Sequence, residues 1–313
     1  MKLKKAVVTG GSGFIGSHLV KELMARGVEV GIVTRYGSVV KHPRLNDVWG
    51  KLAVFEADLR HRDALAMMMT WRPDAVFHLA AYNHVGDSFR QVEECYQINA
   101  LGSANVMDVV NGNAVLVYVS SSEVYGSQDH VPWDESMIPK PQSPYAITKY
   151  AGELHARMLQ ILKFPVQIVR PFNTFGPYQS TKAVIAEMIV KCLNGVPIKS
   201  TLGEQTREFN YVSDIVDGMI KAAECDMVVS GPVNLASGQE VAIADMIKTI
   251  HAMTKSSSEL NIGAYLYRPN EIWRMCADRT RAKNAFGWEP KVDFVDGLSR
   301  TVEWYKANRE LVK

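Results

Sequence analysis

The sequence opens with a short apolar run that leads directly into a glycine-rich turn. Residues 5–9 (KAVVT) are typical of a buried strand, and VTGGSGFIGSHL then places Gly10, Gly13 and Gly16 ahead of a helical pattern. A turn of this kind lets backbone N–H groups and a helix N-terminus face a pyrophosphate. The Gly-x-x-Gly-x-x-Gly spacing therefore predicts a phosphate-binding turn between the first strand and the first helix.

The first half of the chain alternates apolar runs with helical patterns. The runs are rich in valine and isoleucine, as buried parallel strands are, and they lie at 5–9, 28–33, 52–57, 74–80, 114–120 and 165–171. The helical patterns between them lie at 14–26, 62–71, 92–110 and 144–162. This alternation predicts an α/β fold built on a parallel sheet with helices on both faces.

Beyond residue 171 the alternation gives way to a loop-rich region, with helices predicted near 181–194, 213–224, 240–254 and 294–309. We interpret the chain as a cofactor-binding lobe and a smaller, discontinuous substrate lobe. The first lobe is predicted to take residues 1–171 and to regain about 204–236. The second is predicted to take about 172–203 and 237–313.

Composition argues against several classes of protein. The 313 residues carry a net charge of +2 with acids and bases intermixed, so we expect no nucleic-acid or membrane surface. No apolar stretch approaches the roughly 18 residues of a membrane-spanning helix. The four cysteines are scattered without the spacing of metal ligands. We therefore expect no metal site, and free thiols in a cytoplasmic protein.

The end of the second predicted strand bears on the choice of cofactor. A site that prefers NAD usually offers a carboxylate to the ribose hydroxyls here, but this chain has Thr34 and Arg35. A guanidinium suits the 2′-phosphate of NADP by its charge and its paired donors, although a solvated surface arginine is the alternative. NADP is the predicted cofactor and NAD the alternative. Asp58, which ends the third strand, is a candidate adenine contact or a helix cap.

Tyr145 and Lys149 lie four residues apart at the start of a helical pattern, and so share one helix face. An ammonium group beside a phenol lowers the phenol pKa from its usual value of about 10. The pair would then supply a base that works near neutral pH. Such pairs also occur by chance on helix surfaces. The glycine turn and the serines that end the fifth strand are what favour a catalytic role for this pair.

Together these motifs resemble the extended short-chain dehydrogenase/reductases, and among them the nucleotide-sugar epimerases and dehydratases. The resemblance covers nearly the whole chain. It includes the glycine turn, HLAA at 78–81, INALGS at 98–103, SSSEVYG at 120–126, RPFNTFGP at 170–177, QTREFNYVSDIVDGM at 205–219 and RPNEIWRMCADRTRAKNAFGWEP at 268–290. It implies a Rossmann-type doubly wound sheet, a smaller C-terminal lobe that binds a sugar nucleotide, and a homodimer formed through a helix bundle.

The resemblance also assigns residues. Ser121, Tyr145 and Lys149 match the family's catalytic Ser/Thr, Tyr and Lys. The residues expected at the cofactor are Gly10, Gly13, Phe14, Ile15, Gly16, Thr34, Arg35, Asp58, Leu59, Leu79, Ala80, Ala81, Asn99, Tyr145 and Lys149. Those expected at the substrate are Ser122, Asn173, Arg207 and Arg268. The two arginines also suit a diphosphate by their forked donors, or could be surface salt-bridge partners.

Glu123 distinguishes the reactions of this family. By the resemblance, the sugar is first oxidised at C4 while Tyr145 takes the hydroxyl proton, and the resulting ketone acidifies the neighbouring C5–H. A carboxylate at Glu123 can remove that proton so that water leaves from C6 and hydride returns to C6, which is the reaction of a 4,6-dehydratase. For Glu123 to serve as base and acid, burial must raise its pKa from about 4.3. Epimerases usually carry a small or apolar residue here. A surface glutamate without a role is the remaining alternative.

The neighbours of Glu123 favour one substrate. Enzymes that act on dTDP-glucose carry Thr-Asp-Glu, whereas GDP-mannose 4,6-dehydratases carry Thr-Ser-Glu, an arginine after strand two and an RPxEV segment. Ser121-Ser122-Glu123, Arg35 and RPNEI resemble the second group, so GDP-mannose is the leading substrate. Two features depart from that group: the chain is shorter, and Ser121 replaces a threonine.

Three alternatives remain. One is a UDP-glucuronate decarboxylase, in which we expect an arginine at the position of Met275. Another is a C4 epimerase or a 4-ketosugar reductase. The last is a non-catalytic cofactor-binding regulator, which the intact Tyr145 and Lys149 disfavour.

Overall fold

Strands and helices alternate through residues 1–35, 43–267 and 271–312, which the computed structural model describes. The strands are β1 Lys5–Thr9, β2 Glu29–Thr34, β3 Ala53–Glu56, β4 Ala75–His78, β5 Val115–Val119, β6 Val166–Pro171, β7 Thr174–Phe175, β8 Ile198–Ser200, β9 Thr206–Glu208, β10 Asn210–Tyr211, β11 Pro232–Leu235, β12 Glu240–Ala242 and β13 Leu260–Ile262. The α-helices are α1 Phe14–Ala25, α2 Arg62–Thr70, α3 Val85–Ser88, α4 Val92–Cys95, α5 Gly102–Val110, α6 Pro144–Ile161, α7 Val184–Leu193, α8 Val212–Glu224, α9 Ile243–Thr254, α10 Thr280–Phe286 and α11 Phe294–Ala307.

Seven of these strands form one parallel sheet in the order β3-β2-β1-β4-β5-β6-β11. The order reverses direction between β1 and β4, which is the mark of a doubly wound sheet. The predicted Rossmann-type fold class is therefore confirmed. The first six strands coincide with the predicted apolar runs to within two residues at each end, and β11 adds an edge strand after α8.

Helices cover both faces of the sheet because successive strand residues point to opposite sides. Val8 and Ile32 pack with Leu19 of α1 and Ile215 of α8 on one face. Val7 and Val76 pack on the other face with the buried sides of α2, α5 and α6, through Leu65, Val106 and Ala156. Two helix layers thus enclose the sheet and leave its carboxyl edge for the loops that follow each strand.

A separate core forms in the C-terminal half, where α7, α9 and α11 pack through Ile189, Ile250 and Val302. Short strand pairs, β8 with β13 and β9 with β12, border it. Within the range assigned to the substrate lobe, α10 packs instead beside α8 and β11, and its Ala282 and Phe286 join the sheet core. We keep the division into two lobes as a proposal, with α10 as the segment that lies against the sheet.

The helix predicted over 92–110 is divided in the structure. Residues Tyr96–Leu101 form a π-helical turn between α4 and α5, and Asn99 lies within it.

No helix of the described residues is long and apolar enough to cross a membrane. The described part of the chain also contains no cluster of three or more potential metal ligands, and all four cysteines are free.

Candidate active site

Two adjoining cavities lie at the carboxyl edge of the sheet, where open α/β folds bind ligands. The larger, about 510 Å³, is lined by residues at the ends of β1, β2 and β4. The smaller, about 300 Å³, is lined by residues at the ends of β5 and β6 and by the start of α6. Gly10, Gly13, Leu79, Ala81 and Asn83 line both, so one ligand can extend from one cavity into the other.

The glycine turn is shaped to receive a phosphate group. Gly10 has a φ of +72°, and a Cβ there would lie 2.8 Å from the backbone nitrogen of Ala80. A Cβ on Gly16 would lie 2.2 Å from the carbonyl oxygen of Gly10. No side chain caps the N-terminus of α1 and its first turn has no acid, so its N–H groups are free to bind an anion. The predicted turn residues Gly10, Gly13, Phe14, Ile15 and Gly16 all line the cavities, and Ser12, which was not predicted, lines the larger one with them.

The far end of the larger cavity is formed by residues after β2 and β3. Thr34 is buried and Arg35 exposed, and both line this cavity beside Asp58 and Leu59. Arg35 forms no ion pair with another described residue. Asp58 accepts hydrogen bonds from the side chain of Arg60 at 3.0 and 2.6 Å, and this partner lowers the pKa of Asp58. Asp58 does not cap α2, which has no side-chain cap.

Of the residues predicted around β4, three line the cavity and one does not. Leu79, Ala80 and Ala81 form its wall. Asn99 is fully buried and is not among the lining residues; its side chain accepts a hydrogen bond from Tyr82 N at 2.7 Å and donates to Tyr82 O at 3.0 Å. Asn99 thus holds the backbone after β4 rather than lining either cavity, and its contact with the cofactor stays a prediction.

The strand tip that carries Glu123 turns because Ser121 caps it. Ser121 is extended, and its hydroxyl accepts a hydrogen bond from Glu123 N at 3.2 Å, which starts a 3₁₀ turn over Ser122–Tyr125. Ser121, Ser122 and Glu123 all line the smaller cavity. The local sequence therefore places two hydroxyls and one carboxylate together at the end of β5.

Tyr145 and Lys149 reach the same cavity from α6. Ser143 caps this helix by accepting from Ala146 N at 3.1 Å, and Pro144 occupies its first turn, where a missing N–H costs nothing. The two side chains are one helical turn apart and both line the cavity with Ser121 and Glu123. The sequence prediction that these four residues share one site agrees with their positions in the structure.

The protonation of the pair differs from the sequence expectation. Burial raises the pKa of Tyr145 to about 12, and a hydrogen bond with Ser121 only partly opposes this. Burial lowers the pKa of Lys149 to about 8, opposed by the charge of Glu153. Its ammonium lies 4.8 Å from the ring centre of Tyr118. The prediction that Lys149 depresses the phenol pKa is wrong for this structure, because desolvation of the phenolate dominates.

Glu123 is the carboxylate that lines the smaller cavity beside Tyr145 and Lys149. Burial raises its pKa, and the charge of Arg207 opposes the rise. Its carboxylate accepts no hydrogen bond and forms no ion pair within residues 1–35, 43–267 and 271–312. The direction of the shift agrees with the expectation from the sequence. A carboxyl group that is enclosed, unpaired and lining a cavity can both take and return a proton.

Sequence reasoning missed a buried ionic network behind this site. Arg170, at the end of β6, donates to the Glu153 carboxylate at 2.9 and 2.7 Å, and both side chains are fully buried. Ser120 donates to the same carboxylate at 2.8 Å. The available signals were a charged residue inside the apolar strand VQIVRP and an acid one turn after Lys149.

The predicted substrate residues have different surroundings. Ser122 and Asn173 line the smaller cavity, and the Asn173 amide lies 3.3 Å from the sulfur of buried Met275. Arg207 lines neither cavity; it pairs with Glu271 at 2.7 Å, a partner that the sequence did not reveal. Arg268 lies outside the described residues.

Comparison with known proteins places these features in a family. The family model described as GDP-mannose 4,6 dehydratase matches residues 7–301. The UDP-N-acetyl-alpha-D-glucosaminuronate decarboxylase of Bacillus cytotoxicus is 31% identical, over 97% of this chain and 98% of that protein. Two solved structures are also similar. The UDP-N-acetylglucosamine 4-epimerase of Methanobrevibacter ruminantium is 33% identical with a TM-score of 0.88, over 98% of this chain and 99% of that one. The NAD-bound dTDP-glucose 4,6-dehydratase of Streptomyces venezuelae is 28% identical with a TM-score of 0.87, over 99% of each chain.

Proposed function

We propose that this chain, which belongs to the GDP-mannose 4,6 dehydratase family, is a nucleoside-diphosphate-hexose 4,6-dehydratase. The family includes nucleotide-sugar dehydratases, epimerases and decarboxylases, so membership alone does not choose among these reactions. The observation that carries our choice is Glu123. It is an unpaired carboxylate with a raised pKa in the cavity that also holds Ser121, Tyr145 and Lys149.

The proposed cofactor is a nicotinamide dinucleotide, which when bound supplies reversible hydride acceptance. The uncapped N-terminus of α1 and the glycine turn would hold its pyrophosphate, and the strand-end residues would hold its adenosine. We propose NADP rather than NAD because Arg35, at the mouth of the larger cavity, has no carboxylate partner among the described residues. A free guanidinium there favours a 2′-phosphate. NAD is the alternative, since it is bound in the solved dehydratase.

Tyr145 and Ser121 would act at the sugar C4. Tyr145 removes the hydroxyl proton, and Ser121, which lines the same cavity, binds the same oxygen. With a phenol pKa of about 12, proton removal requires a nearby positive charge. Lys149 is the cation available in this cavity, since its pKa of about 8 leaves most of it protonated at neutral pH. Its charge does not outweigh the burial of the phenol in the structure, so we propose that it acts on Tyr145 once the substrate is bound.

Glu123 would carry out the elimination that follows. Its carboxylate takes the C5 proton, made acidic by the C4 ketone, and returns a proton to the C6 hydroxyl, which leaves as water. Hydride then returns to C6 and a proton adds at C5, which gives the 4-keto-6-deoxy sugar without net reduction of the cofactor. One group can perform both transfers if its pKa is closer to neutrality than that of an ordinary glutamate. Burial acts in that direction here. Ser122 stands where some dehydratases have a separate acid. In this scheme Glu123 therefore serves as both the base and the acid.

The charge of the cavity argues against a uronate substrate. Lys149 is the one cationic side chain that the described residues contribute to the smaller cavity. Met275 is apolar, buried and in contact with Asn173, where a decarboxylase would be expected to have an arginine. A sugar carboxylate would therefore face Glu123 with Lys149 as the one cation that the described residues provide in this cavity, which is unfavourable for two like charges. A neutral hydroxymethyl group at C6 suits the cavity better.

A C4 epimerase is the second candidate, favoured by the 33% identity to a solved 4-epimerase. A dehydratase requires Glu123 to remove the C5 proton. A C4 epimerase does not, because epimerisation at C4 involves no proton transfer at C5. Within the dehydratases we propose GDP-mannose as the leading substrate, on the Ser-Ser-Glu sequence, Arg35 and the RPNEI segment.

We also propose that the protein is a homodimer. Four apolar side chains, Ile147, Leu154, Met158 and Ile161, are exposed along α6 at spacings that place them on one helix face. A second copy packing through this face would bury them, and contiguous exposed apolar surface of this kind marks an interface.

The free cysteines are consistent with the cytoplasmic, reducing compartment that we propose.

The experiment that tests the reaction is a product assay. Purified protein is incubated with NADP and, separately, with GDP-mannose, dTDP-glucose, UDP-glucose, UDP-N-acetylglucosamine and UDP-glucuronate, and the product masses are measured. The proposal predicts loss of one water from a neutral hexose without net reduction of the cofactor. A product of the same mass as the substrate, or loss of carbon dioxide from the uronate, would contradict it.

A further inference from the structure

The Glu123 carboxylate is placed by its backbone, because no side chain of the described residues holds it. It lines the smaller cavity. Its main chain is held on both sides instead: Glu123 N donates to Ser121 Oγ at 3.2 Å, and Gly126 N donates to Glu123 O at 3.2 Å. The position of this carboxylate in the cavity therefore follows from the position of the 3₁₀ turn Ser122–Tyr125 that carries it.

The last residue of this turn, Tyr125, is enclosed in the protein core. Its side chain is fully buried and lines neither cavity. The centre of its ring lies 5.5 Å from that of Trp133 and 6.1 Å from that of Phe172. The guanidinium of Arg170 lies 4.5 Å from the same ring centre, within the range of a cation–π contact. Residues from three other segments of the chain thus surround the end of the turn.

The Tyr125 hydroxyl adds a directional contact to this packing. It donates to Asn234 Oδ1 at 2.8 Å, and Asn234 is a fully buried residue of β11. The orientation of that amide is set by its other contact, because Asn234 Nδ2 donates to Trp133 O at 3.0 Å. Asn234 N also donates to the carboxylate of Glu135 at 2.8 Å. The acceptor of the Tyr125 hydroxyl is therefore itself fixed, and the turn is tied to the edge strand of the main sheet.

Glu123 and Tyr125 leave the same turn for different surroundings, the first for the cavity and the second for the core. A displacement of the turn would move both side chains. We infer that Tyr125 is a positioning residue: its hydrogen bond to Asn234 fixes the turn, so that the Glu123 carboxylate keeps one place in the cavity. Small displacements matter, since a misplacement of about 1 Å can lower a rate by about 10²-fold. The inference rests on the proposed function only for the proton transfers that Glu123 performs.

Tyr125→Phe is the test variant, because it keeps the ring and removes only the hydroxyl. In a single turnover with NADP and the sugar nucleotide that loses water in the product assay, C4 oxidation is followed by the absorbance of reduced nicotinamide and elimination by product mass. We expect the rate of water loss to fall about tenfold while C4 oxidation keeps its rate, so that reduced nicotinamide accumulates transiently. A merely structural role would lower both rates together. Equal falls, or two unchanged rates, would overturn the inference.

Tyr305→Phe is the matched control. Tyr305 is also fully buried and donates one hydrogen bond, to Gln179 O at 2.5 Å, but it lies in α11 and lines neither cavity. The ratio of the two rates should not change in this variant. A ratio altered as much as in Tyr125→Phe would contradict the assigned role.

Asn234→Leu removes the acceptor instead of the donor, and it tests the inference if Tyr125→Phe fails to fold. It should also slow water loss more than C4 oxidation. Because the two residues act through one hydrogen bond, Tyr125→Phe should have no further effect on the ratio in the Asn234→Leu background. A second tenfold fall in the double variant would show that the hydroxyl acts by another route and would contradict the inference.

Hydrogen exchange separates this inference from the proposed reaction, because it needs no substrate. The Gly126 N–H closes the turn on Glu123 O, and NMR should show it exchanging about tenfold faster in Tyr125→Phe, while the amides of β1 keep their rates. Wild-type exchange at Gly126, or an equal rise in β1, would overturn the inference whatever the protein catalyses. If no sugar nucleotide loses water but exchange at Gly126 rises as expected, the positioning role stands and the dehydratase proposal fails.

Discussion

Arg170 and Glu153 form a fully buried ion pair directly behind the candidate active site, joined by hydrogen bonds of 2.9 and 2.7 Å. The pair links β6 to α6. It also reaches the strand that carries Glu123, because Ser120 donates to the same carboxylate at 2.8 Å. The acid lies one helical turn from Lys149 and its charge raises the pKa of that lysine. This buried carboxylate therefore helps to fix α6 relative to the strand tip, together with the hydrogen bond from the Tyr118 hydroxyl to Lys149 O at 2.8 Å.

Replacement of the Glu153 carboxylate should lower the free energy of unfolding. Glu153→Gln leaves the Arg170 guanidinium buried without a counter-charge, and breaking a buried pair in this way costs about 3–5 kcal/mol of unfolding free energy. Denaturant unfolding followed by circular dichroism measures the loss. The matched control is Glu22→Gln, which breaks the more exposed pair with Arg26 and should cost at most about 1 kcal/mol. Equal losses in the two variants would contradict the account.

The lowered pKa of Lys149 predicts a rise in stability with pH. Its pKa falls from 10.5 to about 8 on folding. Between these values the unfolded chain holds a proton that the folded chain has released, so the free energy of unfolding increases with pH. We expect Lys149→Met to lack about 2 kcal/mol of the rise that the wild type gains between about pH 8 and pH 10. Unfolding curves at several pH values provide the comparison, and parallel profiles for the two proteins would refute the prediction.

Arg35 should determine the choice between cofactors. If its guanidinium binds the 2′-phosphate, Arg35→Ala removes charge-assisted hydrogen bonds that NAD cannot form, and the ratio of NADP to NAD affinity should fall about tenfold or more. Titration calorimetry with both dinucleotides gives the ratio. Arg60→Ala is the control, because Arg60 is cationic but bound to Asp58 in the same region. A ratio that survives Arg35→Ala, or falls equally in both variants, would exclude this role.

The apolar face of α6 predicts the assembly state. Leu154→Glu places a charge at the centre of this face, and burying it in an interface would be strongly unfavourable. Sedimentation velocity should show a dimer for the wild type and a monomer for the variant. Leu266→Glu changes a side chain that is 95% exposed on the other lobe and should leave the dimer intact. A monomeric wild type would remove the basis of the prediction.

The fold could be predicted from the sequence where local patterns determine it. The buried strands follow from their valine-rich periodicity, and the glycine turn follows from spacing alone, since Gly10 and Gly16 have no room for a Cβ. Ser121, Glu123, Tyr145 and Lys149 were grouped by the resemblance to the extended short-chain dehydrogenase/reductases, and only the positions of Ser121 and Glu123 follow from the common edge at which parallel strands end. None of these predictions required knowledge of a distant contact.

The remaining features depend on tertiary contacts that local patterns do not encode. The phenol pKa was predicted in the wrong direction because proximity to Lys149 is visible in the sequence, whereas the desolvation of Tyr145 is not. Asn99 was expected at the cofactor, but its amide is used by the backbone of Tyr82. Glu271 pairs with Arg207, which is 64 residues away in the sequence, and Glu153 pairs with Arg170, which is 17 residues away. Each is a pairing that only the folded chain brings together.

The central claim, that Glu123 makes this enzyme a dehydratase, is tested most directly by Glu123→Gln mixed with NADP and the wild-type substrate. C4 oxidation, in which Tyr145 takes the hydroxyl proton, should proceed, so the absorbance of reduced nicotinamide should appear and persist, while water loss falls by about 10²–10⁴-fold. Tyr145→Phe serves as the control, since it should block the absorbance change as well. Water loss at the wild-type rate in Glu123→Gln, or an isomass product formed equally by both proteins, would contradict the account.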